Sequence, residues 1–158
     1  MKLKKDNKGF SLVELIVVVA IMAVLMGILV PTLVKNVEKS KKQKDLSGIE
    51  EVRSTMEKCL ADENYSAIET TITCEGGKIN VSGFTATGVD NFADYMKEVK
   101  DQITDYTCKS KEFKTATVVF TIKDEKVCYK VTGTKSGDDY TSENYTKVAA
   151  TAATAATS

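Results

Sequence analysis

The sequence predicts an α+β fold in which a long amino-terminal α-helix packs on a small antiparallel β-sheet. Residues 15–34 carry no charged side chain, and apolar residues continue at helical spacing to about residue 62. Further along, residues 78–82, 115–122 and 127–132 are short segments rich in β-branched and apolar side chains, which is typical of paired strands. One long helix followed by short strands indicates an α+β architecture.

Composition excludes several functional classes. The chain has 158 residues with 22 basic and 22 acidic side chains, and nucleic-acid binders usually show a basic excess. It has no His, which removes His-ligated metal sites and His-based catalysis. No nucleophile–base arrangement or phosphate-binding loop is present either. The sequence therefore indicates neither an enzyme nor a cofactor or metal site, and it predicts no nucleic-acid partner.

Residues 15–34 predict a membrane-spanning helix, because a bilayer core requires about 20 predominantly apolar residues. A buried helix in a small domain would show a polar stripe, and this run has none. A cleaved secretory signal would end in small residues, whereas this run ends in Val30-Pro31-Thr32-Leu33-Val34. Pro31 removes a backbone donor and clashes with the preceding turn, so we expect the helix to bend or open there.

The helix continues beyond the apolar run with a lysine-rich stretch at residues 39–44. Those lysines form either a solvated face or a surface near lipid headgroups, and we favour the solvated face. Basic residues flank the apolar run on both sides, so the positive-inside rule does not predict which end of the helix lies in the cytoplasm.

All four cysteines, Cys59, Cys74, Cys108 and Cys128, follow the run, and their even number suits disulfides in an oxidising exterior. Four cysteines allow three pairings. We favour Cys59–Cys74 and Cys108–Cys128, because each bond links neighbours along the chain. A metal site is disfavoured, because no C-x-x-C spacing occurs.

The remaining elements are short. We expect a strand at residues 71–74, a helix at residues 92–106 with Asp90 as its N-cap, and a hairpin joined by a four-residue loop at residues 123–126. Residues 134–158 are polar and end in an Ala/Thr repeat, which predicts a low-complexity tail.

Glu14 lies directly before the amino-terminal end of the apolar run. A carboxylate among apolar residues is costly and is a functional candidate by default. Alternatively, Glu14 marks the membrane edge and faces water. By chemistry alone the two interpretations are equally supported.

The string Lys8-Gly9-Phe10-Ser11-Leu12-Val13-Glu14, followed by uncharged residues 15–28, resembles the class III signal of type IV prepilins and pseudopilins. The resemblance covers roughly the first 35 residues. It implies a type IV pilin-like fold for the whole chain. Pro31 falls where this family commonly kinks its first helix.

The resemblance also implies roles for individual residues. A prepilin peptidase would cut between Gly9 and Phe10, and the new amino group of Phe10 would be methylated. Glu14 would then pair with the Phe10 ammonium of a neighbouring subunit, because in apolar surroundings each charge is expensive alone and tolerable when paired.

The predicted organisation is a cleaved leader (1–9), a transmembrane and polymerisation helix (10–34), the second half of that helix (35–62), an extracellular head (63–133) and a tail (134–158). The resemblance implies a homopolymeric pilin, stored in the cytoplasmic membrane with its head outside and then assembled by pilus machinery into a surface filament. Such a filament serves adhesion, aggregation or twitching motility. The alternatives are a pseudopilin of a secretion or DNA-uptake machine, and a single-pass membrane protein with a small binding domain.

Overall fold

The computed structural model describes residues 11–86 and 88–142 and confirms the α+β class. A long amino-terminal helix is followed by a small antiparallel sheet. The chain divides into two compact units at the Val37–Glu38 bond. The elements are α1 (Leu12–Leu60), β1 (Thr70–Cys74), β2 (Lys78–Ile79), a 3-10 turn (Val81–Gly83), α2 (Phe92–Gln102), β3 (Tyr106–Thr107), β4 (Thr117–Lys123), β5 (Lys126–Thr132) and β6 (Tyr140–Thr141).

The main sheet has four antiparallel strands in the order β1-β4-β5-β6. Phe120 lies at its centre, opposite Ile72 on β1 and Tyr129 on β5. The strands β2 and β3 form a separate two-stranded ribbon. The apolar residues of the central hairpin are buried except for the half-buried Val119, which gives the head a sheet-centred core.

Helix α1 contributes a buried stripe to this core. Ile49, Val52, Met56 and Leu60 recur three or four residues apart and are almost completely buried. The Tyr95 hydroxyl on α2 donates to the Met56 carbonyl oxygen over 2.8 Å, which ties α2 to α1. The helical spacing recognised in the sequence therefore becomes the face that α1 presents to the head.

A buried carboxylate fixes the loop after β3 onto α1. Asp45 is 1% exposed and accepts hydrogen bonds from the backbone amides of Lys109 (2.9 Å) and Ser110 (2.8 Å). The Tyr106 hydroxyl donates to Asp45 Oδ1 over 3.0 Å. A Cβ at Gly48 would lie 2.5 Å from the Tyr106 ring, so this glycine allows the ring to approach the helix. Glycine weakens a helix, and the close approach of the Tyr106 ring explains why Gly48 is nevertheless present in α1.

The region around α2 differs from the sequence prediction. The helix ends at Gln102 rather than residue 106, because Ile103 is extended and the next residues enter β3. Its N-cap is Asn91 in the left-handed conformation (φ 59°), not Asp90. The predicted strand at residues 78–82 is shortened to Lys78–Ile79, since residues 81–83 form the 3-10 turn.

The central hairpin is tighter than predicted. Lys123 pairs directly with Lys126, so the connection is a two-residue turn and not a four-residue loop. Asp124 and Glu125 both adopt positive φ, at 50° and 58°. Two consecutive left-handed residues are typical of the type I′ turn, which matches the twist of the flanking strands.

The predicted tail begins too early, because part of it belongs to the head. Tyr140 and Thr141 form β6 on β5, and the Tyr140 ring packs edge-on against Phe113 with centroids 5.1 Å apart. The backbone amide of Tyr129 donates to the hydroxyl oxygen of the buried Ser142 over 3.1 Å. The Ala/Thr repeat itself lies outside the described residues.

Replacing the turn pair by Asp124→Asn with Glu125→Gly should stabilise the hairpin. Asn-Gly suits a type I′ turn, and each non-glycine residue in the left-handed region costs roughly 1–2 kcal/mol. We expect the free energy of unfolding to rise by about 1 kcal/mol, measured by thermal denaturation of the full chain in detergent. The control, Glu125→Ala, removes the charge but keeps a Cβ. An equal gain from that control would contradict the conformational explanation.

Removing the carboxylate with Asp45→Ala should destabilise the head strongly, because two backbone amides lose their acceptor inside it. We expect a loss of about 3 kcal/mol in the free energy of unfolding. In the full chain, this loss of stability would be measured as faster amide hydrogen exchange at Lys109 and Ser110. Glu51→Ala, at an exposed carboxylate on the same helix, is the matched control. Equal exchange rates in the two variants would show that Asp45 is not the anchor.

Candidate functional site

The start of α1 carries the glutamate half of a capping box. The residues Ser11-Leu12-Val13-Glu14 follow the S-x-x-E pattern, in which the glutamate reaches back to the backbone of the first residue. The Ser11 amide donates to Glu14 Oε2 over 3.0 Å, and the Leu15 amide donates to the Ser11 carbonyl oxygen over 3.2 Å. Glu14 therefore has a local role that our sequence interpretation missed, although its pattern was visible.

The position of Glu14 also suits its charge. A carboxylate in the first turn of a helix interacts favourably with the positive end of the helix dipole. Among the described residues, its second oxygen, Oε1, makes no hydrogen bond within the chain. Gly9 and Phe10 lie outside the described residues, so the cleavage site and the Phe10–Glu14 pairing stay predictions.

The apolar half of α1 is exposed along its length. Large apolar side chains from Leu12 to Val37 are between 44% and 73% exposed. Within the described part of the chain, α1 is the one helix long and apolar enough to cross a membrane. A shallow groove on this surface is lined by Leu15, Ile16, Val19, Ala20 and Ala23. Such a surface needs lipid or another apolar surface against it.

Pro31 lies inside α1 without interrupting its helical assignment. A proline leaves the carbonyl four residues earlier, here that of Gly27, without its helical donor. The Thr32 hydroxyl donates to the Ile28 carbonyl oxygen over 3.4 Å. The bend predicted at Pro31 stays a prediction.

The four cysteines are buried free thiols, so neither predicted disulfide is present in the structure. Burial raises the pKa of the Cys74 and Cys108 thiols to about 12, which keeps both protonated near neutral pH. Cys59 receives a contact from the Gln102 side-chain amide at 3.2 Å. The Cys59–Cys74 pairing stays a prediction.

The strand register disagrees with a Cys108–Cys128 bond. Gly77 connects Cys108 to the start of β4, because its carbonyl accepts from Cys108 and its amide donates to Ala116. Cys128, in contrast, is opposite Thr121, further along β4. At roughly 3.3 Å per residue, the separation far exceeds the Cα–Cα distance of a disulfide. The register therefore argues against this pair, because the hairpin carries Cys128 away from the ribbon.

Comparisons with known proteins find a family model for the amino-terminal segment and several relatives. Residues 4–30 fit the family model described as the prokaryotic N-terminal methylation motif. The type II secretion system core protein G of Escherichia coli (strain K12) is 34% identical over 65 residues, covering 41% of this chain and 45% of that protein. The type IV major fimbrial protein FimA of Dichelobacter nodosus is 35% identical over 60 residues, covering 38% of each. The chain thus carries a prepilin-type methylation motif and is similar to type IV pilins and pseudopilins.

A longer match within this superfamily is prepilin peptidase-dependent protein A of Clostridium perfringens. It is 29% identical over 100 residues, covering 61% of this chain and 71% of that protein. The chain spans less than half the length of the secretion and fimbrial relatives given above. No solved structure matches this pilin-like chain.

Peptide mapping without reduction tests the thiols of the mature protein. We expect no peptide joined through Cys108 and Cys128, because that bond requires the register of β4 and β5 to be lost. A recovered Cys108–Cys128 peptide from folded protein would contradict the register. Mapping after reduction and denaturation is the control for complete recovery of all four cysteines.

Proposed function

We propose that this protein is a structural subunit that polymerises through α1 into a type IV pilus at the cell surface. The observation that carries the proposal is the exposed apolar half of α1, which begins directly after a carboxylate-capped first turn. The methylation motif and the fimbrial relative support it. The filament would serve adhesion, aggregation or twitching motility.

Maturation would occur at the membrane. The precursor would span the cytoplasmic membrane with its leader (1–9) in the cytoplasm and its head outside. Prepilin peptidase would cut between Gly9 and Phe10, and the Phe10 amino group would be methylated. The predicted partners are therefore other copies of the subunit, the peptidase and the assembly machinery.

The capping box refines the proposed role of Glu14. Its Oε2 is used by the Ser11 amide of its own chain, while Oε1 is available to a cation from another subunit. A carboxylate carried into the apolar centre of a filament is stabilised when an ammonium group pairs with it and destabilising when alone. The local hydrogen bond would orient the side chain, and the neighbour's Phe10 ammonium would supply the opposite charge.

The second candidate is a pseudopilin of a type II secretion machine. The similarity to type II secretion system core protein G in several bacteria favours it, and it uses the same α1 chemistry. The two candidates differ in the length and location of the filament rather than in the subunit mechanism. Neither requires catalysis by this chain.

A charge-only variant tests the assembly role of Glu14. Glu14→Gln removes the charge, but the amide oxygen can still accept from Ser11, because glutamine also serves in capping boxes. We expect Glu14→Gln and Glu14→Ala to be processed normally and to lower filament yield by roughly a hundredfold or more, since a buried cation loses its partner. Filaments sheared from cells would be quantified against total processed subunit.

The matched control is Glu51→Gln, an exposed carboxylate on α1 beyond the apolar run. Normal filament yield from Glu14→Gln together with loss from Glu14→Ala would show that capping, rather than charge pairing, is what assembly needs. Electron microscopy of intact cells then separates the candidates, because a pilus extends from the cell surface and a pseudopilus stays short within the envelope.

A further inference from the structure

A strongly basic segment follows the apolar run on the side opposite the leader. Residues 35–44 carry five lysines and one glutamate. The leader is basic as well, so this segment weakens the charge asymmetry that would orient the helix. Because this basic segment does not help to orient the helix in the membrane, its charge requires another explanation.

The structure extends this segment into what we call the lysine collar, defined as Lys39, Lys41, Lys44, Lys109 and Lys111. The three α1 lysines are exposed and, at about 100° per residue, point to different sides of the helix. Lys109 and Lys111 are exposed residues of the loop after β3. Local sequence pattern does not indicate that these two lysines lie beside the others.

Backbone hydrogen bonds bring the loop to the collar. The Lys109 amide donates to Asp45 over 2.9 Å, and the Lys111 amide donates to Glu38. Glu38 and Asp45 are thus directed at loop amides, and Glu112 on the same loop accepts from the Ser136 amide. The collar lysines are exposed to solvent. Set against these three carboxylates, the five collar lysines leave an excess of positive charge.

Chain connectivity places the collar near the bilayer whatever the conformation of the intervening residues. Glu38 follows Val34, the end of the apolar run, by four residues, and four residues span at most about 14 Å. The headgroup region adds roughly 5–8 Å to each side of the hydrocarbon core. When residues 15–34 cross the membrane, the end of the collar at Glu38 and the Lys111 amide therefore lies within or close beside the headgroups.

We propose that the lysine collar binds the anionic phospholipid headgroups of the bilayer that α1 crosses, and so holds the head of the stored subunit at the membrane surface. Basic residues next to a membrane span are attracted to anionic lipid in this way. The inference rests on the membrane-spanning α1 of the proposed function and not on filament formation. It replaces the solvated face that we favoured from the sequence.

Lysine footprinting of the full chain in vesicles tests this inference. The protein would be reconstituted into vesicles of phosphatidylcholine alone, or of phosphatidylcholine mixed with phosphatidylglycerol, and treated with a membrane-impermeant acylating reagent. With phosphatidylglycerol we expect about threefold slower acylation at the collar lysines, because the anionic surface keeps amines protonated and shields them. About 1 M salt should remove the difference, because it shortens the screening length to about 3 Å.

The exposed lysines Lys97 and Lys100 on α2 are the internal control and should react equally in both vesicles. The triple variant Lys39→Gln/Lys41→Gln/Lys44→Gln should reduce protection at Lys109 and Lys111, whereas Lys97→Gln/Lys100→Gln should not. Equal acylation rates of the collar lysines in the two kinds of vesicle would overturn the proposal. Protection of Lys97 and Lys100 equal to that of the collar lysines would also overturn it. Protection that grows with protein density instead of phosphatidylglycerol would assign the collar to a second copy and also overturn it.

The test is independent of polymerisation. A chain that shows the footprint but never forms filaments keeps the lipid contact and removes the filament proposal. A chain that forms filaments without the footprint keeps the filament proposal and removes the lipid contact.

Discussion

The constraint on which this protein depends is the apolar surface of α1, which no described part of the chain covers. Its large side chains are exposed from Leu12 to Val37. Such a surface is unfavourable in water in proportion to its area. The chain therefore needs lipid or another apolar surface around α1. Such a helix is suited to the membrane storage and polymerisation that we propose.

The head is stabilised by its own core and by contacts with the second half of α1. Ile49, Val52 and Met56 give α1 a buried stripe, and Asp45 fixes the loop after β3 through the backbone. Gly48 allows the Tyr106 ring to lie against the helix. A buried carboxylate satisfied by several donors holds a specific geometry, which apolar packing alone does less well. The same loop carries the exposed lysines Lys109 and Lys111.

Sequence reasoning predicted the long helix, the central hairpin and the apolar run, because each has a strong period over many residues. It missed β3 and β6, since strands of two residues are too short to show alternation. It predicted the hairpin turn wrongly, because Asp124 and Glu125 are not the residues that usually adopt two left-handed conformations. The roles of Asp45 and of the loop lysines depend on contacts 64 or more residues apart, which local pattern cannot show.

Processing of the amino terminus decides whether α1 is used as a polymerisation helix or as a plain anchor. Cleavage before Phe10 would place a new ammonium group at the start of an apolar helix whose first turn is capped by Glu14. The most direct measurement is the intact mass and terminal sequence of the protein extracted from its own membranes. The account predicts a chain that begins at methylated Phe10. A chain that retains Met1, or that begins after Val34, would contradict it.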